Sequence, residues 1–249
     1  MSANQTGNTR VTRHQKPTKK RTKSLFGRII KWGLLALLAL IIAGIGLFAY
    51  YAKDAPEITQ AKLQNGNASV LYDSNNKAFK QLGAANQTYA SSDQIPQTLK
   101  DAVVSIEDRR FYKEKFGIDP VRIASAAFAN ITGHSSLGLQ GGSTLTQQLI
   151  KLSVFSTKNS DQTFKRKAQE AWLAVQVERQ YSKDQILEYY MNKVYLNNGV
   201  YGMQTAAKYY YDKTLKQLSL PQLALIAGMP QSPANYDPYA HPDQAKTRR

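Results

Sequence analysis

The 249-residue chain carries 33 Lys and Arg against 17 Asp and Glu, a formal charge of +16, with 42% hydrophobic residues and no cysteine. That apolar fraction supports a packed core and excludes a wholly disordered chain, while the surplus of cations points to a polyanionic neighbour, whether nucleic acid, anionic lipid or a phosphorylated substrate. The missing thiol excludes a disulfide scaffold, a thiolate zinc site and a cysteine nucleophile, and His14, His134 and His241 stand in no metal-binding spacing, which argues against a histidine metal centre or a Ser-His-Asp triad.

The charge is unevenly placed. Residues 1–31 hold Arg10, Arg13, Lys16, Lys19, Lys20, Arg21, Lys23, Arg28 and Lys31, and the first acidic residue is Asp54. The 21 residues from Trp32 to Ala52 carry no charge. At about 1.5 Å per residue they reach roughly 30 Å, the thickness of a bilayer's hydrocarbon core. Trp32 at one end and Tyr50 and Tyr51 at the other stand where an interfacial aromatic belt would. A cleavable signal peptide has a shorter apolar region and a small-x-small cleavage site; this run ends in Tyr50-Tyr51-Ala52-Lys53 and predicts an uncleaved anchor at 32–52. The excess of cations before it predicts a cytoplasmic tail and places everything after Lys53 outside the cell membrane. A topology determinant that also touches anionic lipid accounts for the tail, so no nucleic-acid partner is expected.

Residues 53–95 read as a linker and a β-hairpin, the runs 68–73 and 78–82 flanking Ser74-Asn75-Asn76-Lys77. Residues 96–249 read as mainly α: a helix starting at Pro96 with apolar positions at Leu99, Ala102, Val103 and Ile106, then amphipathic segments near 119–131, 143–155, 162–180, 183–194, 202–210 and 219–227. Ser182 and Ser219 are expected N-caps, and Gly228 followed by Pro230 an expected helix stop.

Five clusters carry chemistry, and each has a plainer alternative. Glu107-Asp108-Arg109-Arg110-Phe111 is either a solvated helix end or an acidic site. In Gly141-Gly142-Ser143-Thr144-Leu145-Thr146-Gln147-Gln148-Leu149-Ile150-Lys151 the glycines permit close backbone approach, and a helix opening at Ser143 offers free N–H groups to an anion. Capping explains Ser143 or Thr144 but not the glutamine pair. Arg166, Lys167 and Glu170 fit a surface ion pair or a binding cluster. Leu187 to Gly202, with Ala206 to Tyr210 behind it, sets aromatics at helical spacing, a pattern usually of the core, and Leu225 to Pro238 reads as a helix stop followed by a rigid loop.

Taken in this order, the clusters resemble the peptidoglycan glycosyltransferase of family fifty-one, the module of class A penicillin-binding proteins and monofunctional transglycosylases. The resemblance covers about 101–236, and its most specific element is Gly141-Gly-Ser-Thr-Leu-Thr-Gln-Gln148. It implies a lysozyme-like, mainly α domain with a head lobe and a smaller membrane-dipping jaw, for which the apolar segment 121–139 is the candidate. The family's E-D-x-x-F is met by Glu107, Asp108 and Phe111, but its following x-H-x-G is not: Tyr112-Lys113-Glu114-Lys115-Phe116-Gly117 lacks the histidine and is one residue longer. Gln147, Lys151, Arg166, Lys167, Glu170, Asn192 and Gly199 fall on matching positions. Tyr210-Tyr211-Asp212-Lys213 loses a turn glycine and Gln222 replaces a common Glu, both expected to be structural.

The resemblance implies polymerisation of lipid-linked disaccharide-peptide (lipid II) into glycan strands, with inversion and loss of polyprenyl diphosphate. Glu107 is the candidate base for the incoming hydroxyl. Lys151, Arg166 and Lys167 are candidate cations for the diphosphate, with Asp108, Ser143, Gln147, Gln148 and Asn192 as further substrate-binding candidates. Glu170 either orients the cations or holds a divalent ion, magnesium or manganese, which the sequence does not require. Expected partners are the lipid-linked precursor, the growing strand, membrane lipid and proteins of cell-wall synthesis or division. Two other classes compete: a lysozyme-like glycan hydrolase, which needs no diphosphate site, and a non-catalytic membrane scaffold, which damaged motifs would have favoured. No K-T-G is present and Ser74-Asn-Asn-Lys77 matches S-x-x-K by letter only, so a penicillin-sensitive transpeptidase is expected, if anywhere, beyond residue 249.

Overall fold

The computed structural model of the chain describes residues 25–64, 69–75, 77–82, 87–119, 121–122, 125, 142–155 and 163–249. The first helix, α1 (Leu25–Ala52), begins before the uncharged run. Within its Gly27–Ala52 portion an 18-residue stretch has a mean hydropathy of 2.5 and is not buried by protein, so the helix is long and apolar enough to cross a membrane. A helix that is apolar all round and left uncovered by its own chain needs an apolar solvent to satisfy it.

From Phe48 onward the chain forms a second compact unit, and most of its regular structure is helical. After the short α2 (Gln60–Gln64), β1 (Ser69–Tyr72) and β2 (Ala78–Leu82) pair antiparallel with Ser69 opposite Leu82 and an irregularity after Leu71. Then follow α3 (Gln97–Glu107), α4 (Leu145–Val154), α5 (Phe164–Gln180), α6 (Lys183–Lys193), α7 (Met203–Tyr211), α8 (Leu220–Gly228) and α9 (Pro242–Arg248). α4 packs against both α5 and α6, α3 against α8, and α2 against α4 and α6.

Apolar spacing explains this packing. Leu99 and Val103 of α3, Leu145, Leu149 and Ile150 of α4, Leu173 and Val177 of α5, and Ile186, Leu187 and Tyr190 of α6 are buried in one core. Each such side chain contributes about 1.5–3 kcal/mol through its removal from water. Helix ends follow the capping chemistry of the sequence. Ser182 and Ser219 are N-caps of α6 and α8, each in a capping box whose third helical residue is Gln185 or Gln222. Glu and Gln serve that position alike, which accounts for the glutamine at 222.

The loop after α6 is held tightly. Asn197 and Asn198 adopt left-handed backbone and both donate to the buried Asp237 Oδ2 at 2.6 Å, while the backbone N–H groups of Tyr239 and Ala240 donate to Oδ1. Gly202 has φ +84°, and a Cβ there would lie 2.6 Å from the Asn192 carbonyl oxygen. Asp212, in the place of the family's turn glycine, is the left-handed C-cap of α7 and pairs with Lys208. The Gln169 amide of α5 donates to the carbonyls of Tyr51 at 3.3 Å and Asp54 at 3.0 Å. The jaw expected at 121–139 and the amphipathic segment at 119–131 lie almost wholly outside the described residues, as do His14, His134 and Gly141.

Candidate active site

Three helices converge on Glu107. It is the last residue of α3, and the next residue, Asp108, is fully buried and accepts the Leu145 N–H at 2.9 Å. A carboxylate at the first turn of a helix satisfies an orphan donor and complements the helix dipole. Asp108 also pairs with Arg122 at 3.0 Å, and Arg122 donates to the Glu107 carbonyl at 3.0 Å. Asp108 thus seats the start of α4 beside the end of α3.

The N-cap of α4 is Thr144 rather than Ser143. Its hydroxyl accepts from the Gln147 N–H at 3.2 Å and donates to the Gly117 carbonyl at 2.7 Å, while Gln147 Oε1 accepts the Thr144 N–H at 3.1 Å. Gln147 is therefore engaged as a capping-box residue, a role the sequence reading withheld from it. Gln148 turns the other way: its Nε2 donates to Glu107 Oε2 at 3.0 Å and its Oε1 accepts from the Tyr190 hydroxyl of α6 at 3.2 Å. The other carboxylate oxygen, Glu107 Oε1, is shielded from bulk water and has no hydrogen-bond partner among the described residues. One oxygen is fixed and the other keeps its lone pairs for a proton.

One helical turn further along α4 the sign of the charge reverses. Lys151 faces Arg166, Lys167 and Glu170 of α5. Arg166 Nε donates to Glu170 Oε1 at 2.9 Å, and Lys167 Nζ donates to Glu170 Oε2 at 2.6 Å and to Ser143 Oγ at 3.1 Å. The Arg166 guanidinium also lies over the Phe155 ring at 5.5 Å. Three cations share one carboxylate. Partial burial, then the charges of Arg166 and Lys167, push the Lys151 ammonium below its usual range, against the pull of Glu170. Both terminal nitrogens of Arg166 are buried without a hydrogen-bond acceptor among the described residues. A buried guanidinium with unspent donors beside two ammonium groups has the chemistry to receive a multiply charged anion.

The structure thus brings Glu107, Asp108, Ser143, Gln147, Gln148, Lys151, Arg166, Lys167 and Glu170 to neighbouring turns of α3, α4 and α5. Asn192 is differently employed: its amide exchanges both hydrogen bonds with the backbone of Ala90 at 2.7 Å and donates to the Glu188 carbonyl at 2.8 Å. It pins the segment leading into α3, with no side-chain donor left for a ligand. Each Glu170 oxygen faces a cation, and among the described residues no group of three or more His, Asp or Glu is arranged so that it could hold a metal ion. Tyr190 and Arg122 were not singled out as site residues from the sequence. Tyr190 reads as core and is core, and only the partner of its hydroxyl reveals the second role.

Residues 75–249 match the family described as Transglycosylase. The chain is 54% identical over 216 residues to penicillin-binding protein 1A of Streptococcus oralis, covering 87% of this chain and 33% of that protein. It is 52% identical over 226 residues to penicillin-binding protein 1A of Streptococcus pneumoniae, 89% of this chain and 31% of that one. Against penicillin-binding protein 1A/1B of Bacillus subtilis the identity is 42% over 252 residues, 99% of this chain and 27% of the relative. The chain spans a third or less of the length of these relatives. It belongs to the transglycosylase family, of the kind that supplies the glycosyltransferase module of class A penicillin-binding proteins.

Proposed function

We propose that this chain polymerises lipid II into glycan strands, with Glu107 as general base, and that it does so on the outer face of a membrane crossed by α1. The domain plan behind this reading is a cytoplasmic tail at 1–31, an anchor at 32–52, a linker with the hairpin at 53–95 and the catalytic domain from 96 onward. The observation that carries the mechanism is the dual use of α4: Gln148 fixes one oxygen of Glu107, and Lys151, one turn later, joins Arg166 and Lys167.

The chemistry follows from that placement. As the sugar 4-hydroxyl attacks the anomeric carbon of the neighbouring unit, its proton passes to the open oxygen of Glu107. The new glycosidic bond forms while the bond from the anomeric carbon to the diphosphate oxygen breaks, and the electron pair leaves with the diphosphate. Negative charge grows on that leaving group in the transition state, where Lys151, Arg166 and Lys167 stabilise it. Glu170, paired with both, offsets the repulsion between the two α5 cations and holds them in place. General-base assistance of this kind contributes about 100- to 10,000-fold.

The test is product analysis with lipid-linked precursor. Strands longer than the input are expected. Shortening of preformed strands without polymerisation would instead make the chain a hydrolase, and neither activity would leave it a scaffold.

A further inference from the structure

The turn after α3 brings another acidic side chain against the residue that seats α4. Both carboxylate oxygens of Glu114 are shielded from water and have no hydrogen-bond donor among the described residues. The groups that face it are Asp108 from the end of α3, Asp119 from the following turn and Lys183 from the start of α6. Lys183 is already committed, to Glu178 at 2.7 Å and to the face of the Phe111 ring at 4.5 Å. Asp119 is committed to Arg110 and to the N–H groups of Val121 and Arg122. An ionised Glu114 would therefore confront two like charges with no donor of its own, which is costly in a dry setting. A neutral Glu114 has an O–H to give, and Asp108 has lone pairs to receive it.

We propose that Glu114 is a positioning residue for glycosyl transfer: as the neutral acid it donates a hydrogen bond to Asp108 and so steadies the junction of α3 and α4 on which Glu107 and Gln148 meet. Asp108 holds the Leu145 N–H and Arg122, and Arg122 holds the Glu107 carbonyl, so a disturbance at Asp108 reaches Glu107 by two routes. Burial, then the charge of Asp108 and the hydrogen bond to it, then Asp119, push the Glu114 carboxyl up to about 8, with Lys183 opposing. The acid is thus intact at neutral pH and is lost in mildly alkaline solution. This inference rests on Glu107 being the base.

A carboxyl raised in the folded state contributes stability that is fully present below its unfolded value of 4.5 and is lost as pH rises to about 8. Glu114→Gln keeps a donor for Asp108 and cannot ionise. In full chain held in detergent, the melting temperature of Glu114→Gln relative to the parent should climb from pH 5 to about pH 8 and level off above it. Its polymerisation rate at pH 7 should stay near the parent's, and the alkaline fall in kcat should move to higher pH. Glu114→Ala, lacking the donor, should lose kcat at pH 7 with KM little changed. A pH-independent difference in melting temperature, an unmoved alkaline limb, or failure of Glu114→Gln to fold would each overturn the proposal. If Glu107→Gln polymerised normally, the base assignment would fall by itself, and the melting series would still report on the Glu114 proton.

Discussion

Gln148 stands between Tyr190 and Glu107, accepting from the first at 3.2 Å and donating to the second at 3.0 Å. The amide has one orientation that satisfies both neighbours, because the phenol donates and the carboxylate accepts. Tyr190 is fully buried, so the orientation of Gln148 is fixed from the core outward, and burial together with the Glu107 charge keeps the phenol well above its ordinary pKa. The carboxylate at the end of α3 is thereby aligned, through Gln148, by a fully buried residue of α6.

Replacing Tyr190 by Phe keeps the packing and removes the donor. A neutral hydrogen bond is worth about 0.5–1.5 kcal/mol, so kcat should fall roughly 2- to 10-fold while KM holds. Steady-state kinetics on the folded variant checks this. An unchanged kcat would mean that Gln148 orients Glu107 without help.

Glu107→Gln preserves size and most hydrogen bonding but cannot accept a proton. Turnover should drop at least about 100-fold with the thermal unfolding transition retained, both measured on one preparation. Near-normal polymerisation by the folded variant would rule out general-base catalysis at this position.

The cations of α5 should separate by their surroundings. Lys167 is about half exposed and its loss removes one charge-assisted contact, so Lys167→Ala should lower kcat/KM by roughly 10- to 150-fold at little cost in stability. Arg166→Ala should in addition lower the melting temperature, since Glu170, 1% exposed, loses the buried half of its ion pairing. Equal stability of the two variants would show that Arg166 is not holding Glu170.

Gly202→Ala tests the frame rather than the chemistry. A Cβ at φ +84° and 2.6 Å from the Asn192 carbonyl oxygen is strained in backbone and blocked in space. We expect a loss of about 2–3 kcal/mol and a melting temperature lower by roughly 4–12 °C. A variant as stable as its parent would mean that the loop yields.

Apolar period foretold the helices, and the motif resemblance picked out the candidate site. Taken alone, Glu107 reads as a solvated helix end and Arg166 and Glu170 as a surface ion pair, and it is the order of the motifs that sets them beside Lys151 and Lys167. The bounds of α4 to α8 fall within two residues of the expected segments, since caps such as Ser182 and Ser219 are local signals. What stayed hidden is set by distant partners. Nothing local says that Asn192 serves Ala90, 102 residues earlier, or that Gln147 caps its own helix while Gln148 crosses to Glu107. Glu114 was read only as one residue of the segment 112–117 that lacks the family's histidine, because its meaning depends on the carboxylates folded against it.

The hold of Gln169 on Tyr51 and Asp54 says where the folded unit begins. The helix that carries Arg166, Lys167 and Glu170 is fastened, by the same helix's Gln169, to the chain within two residues of Ala52, where the apolar run ends. The last turn of α1 is therefore built into the compact unit that starts at Phe48 rather than being a loose lead-in to it. Gln169→Ala removes both contacts and should lower the melting temperature of that unit while leaving the apolar run itself unchanged.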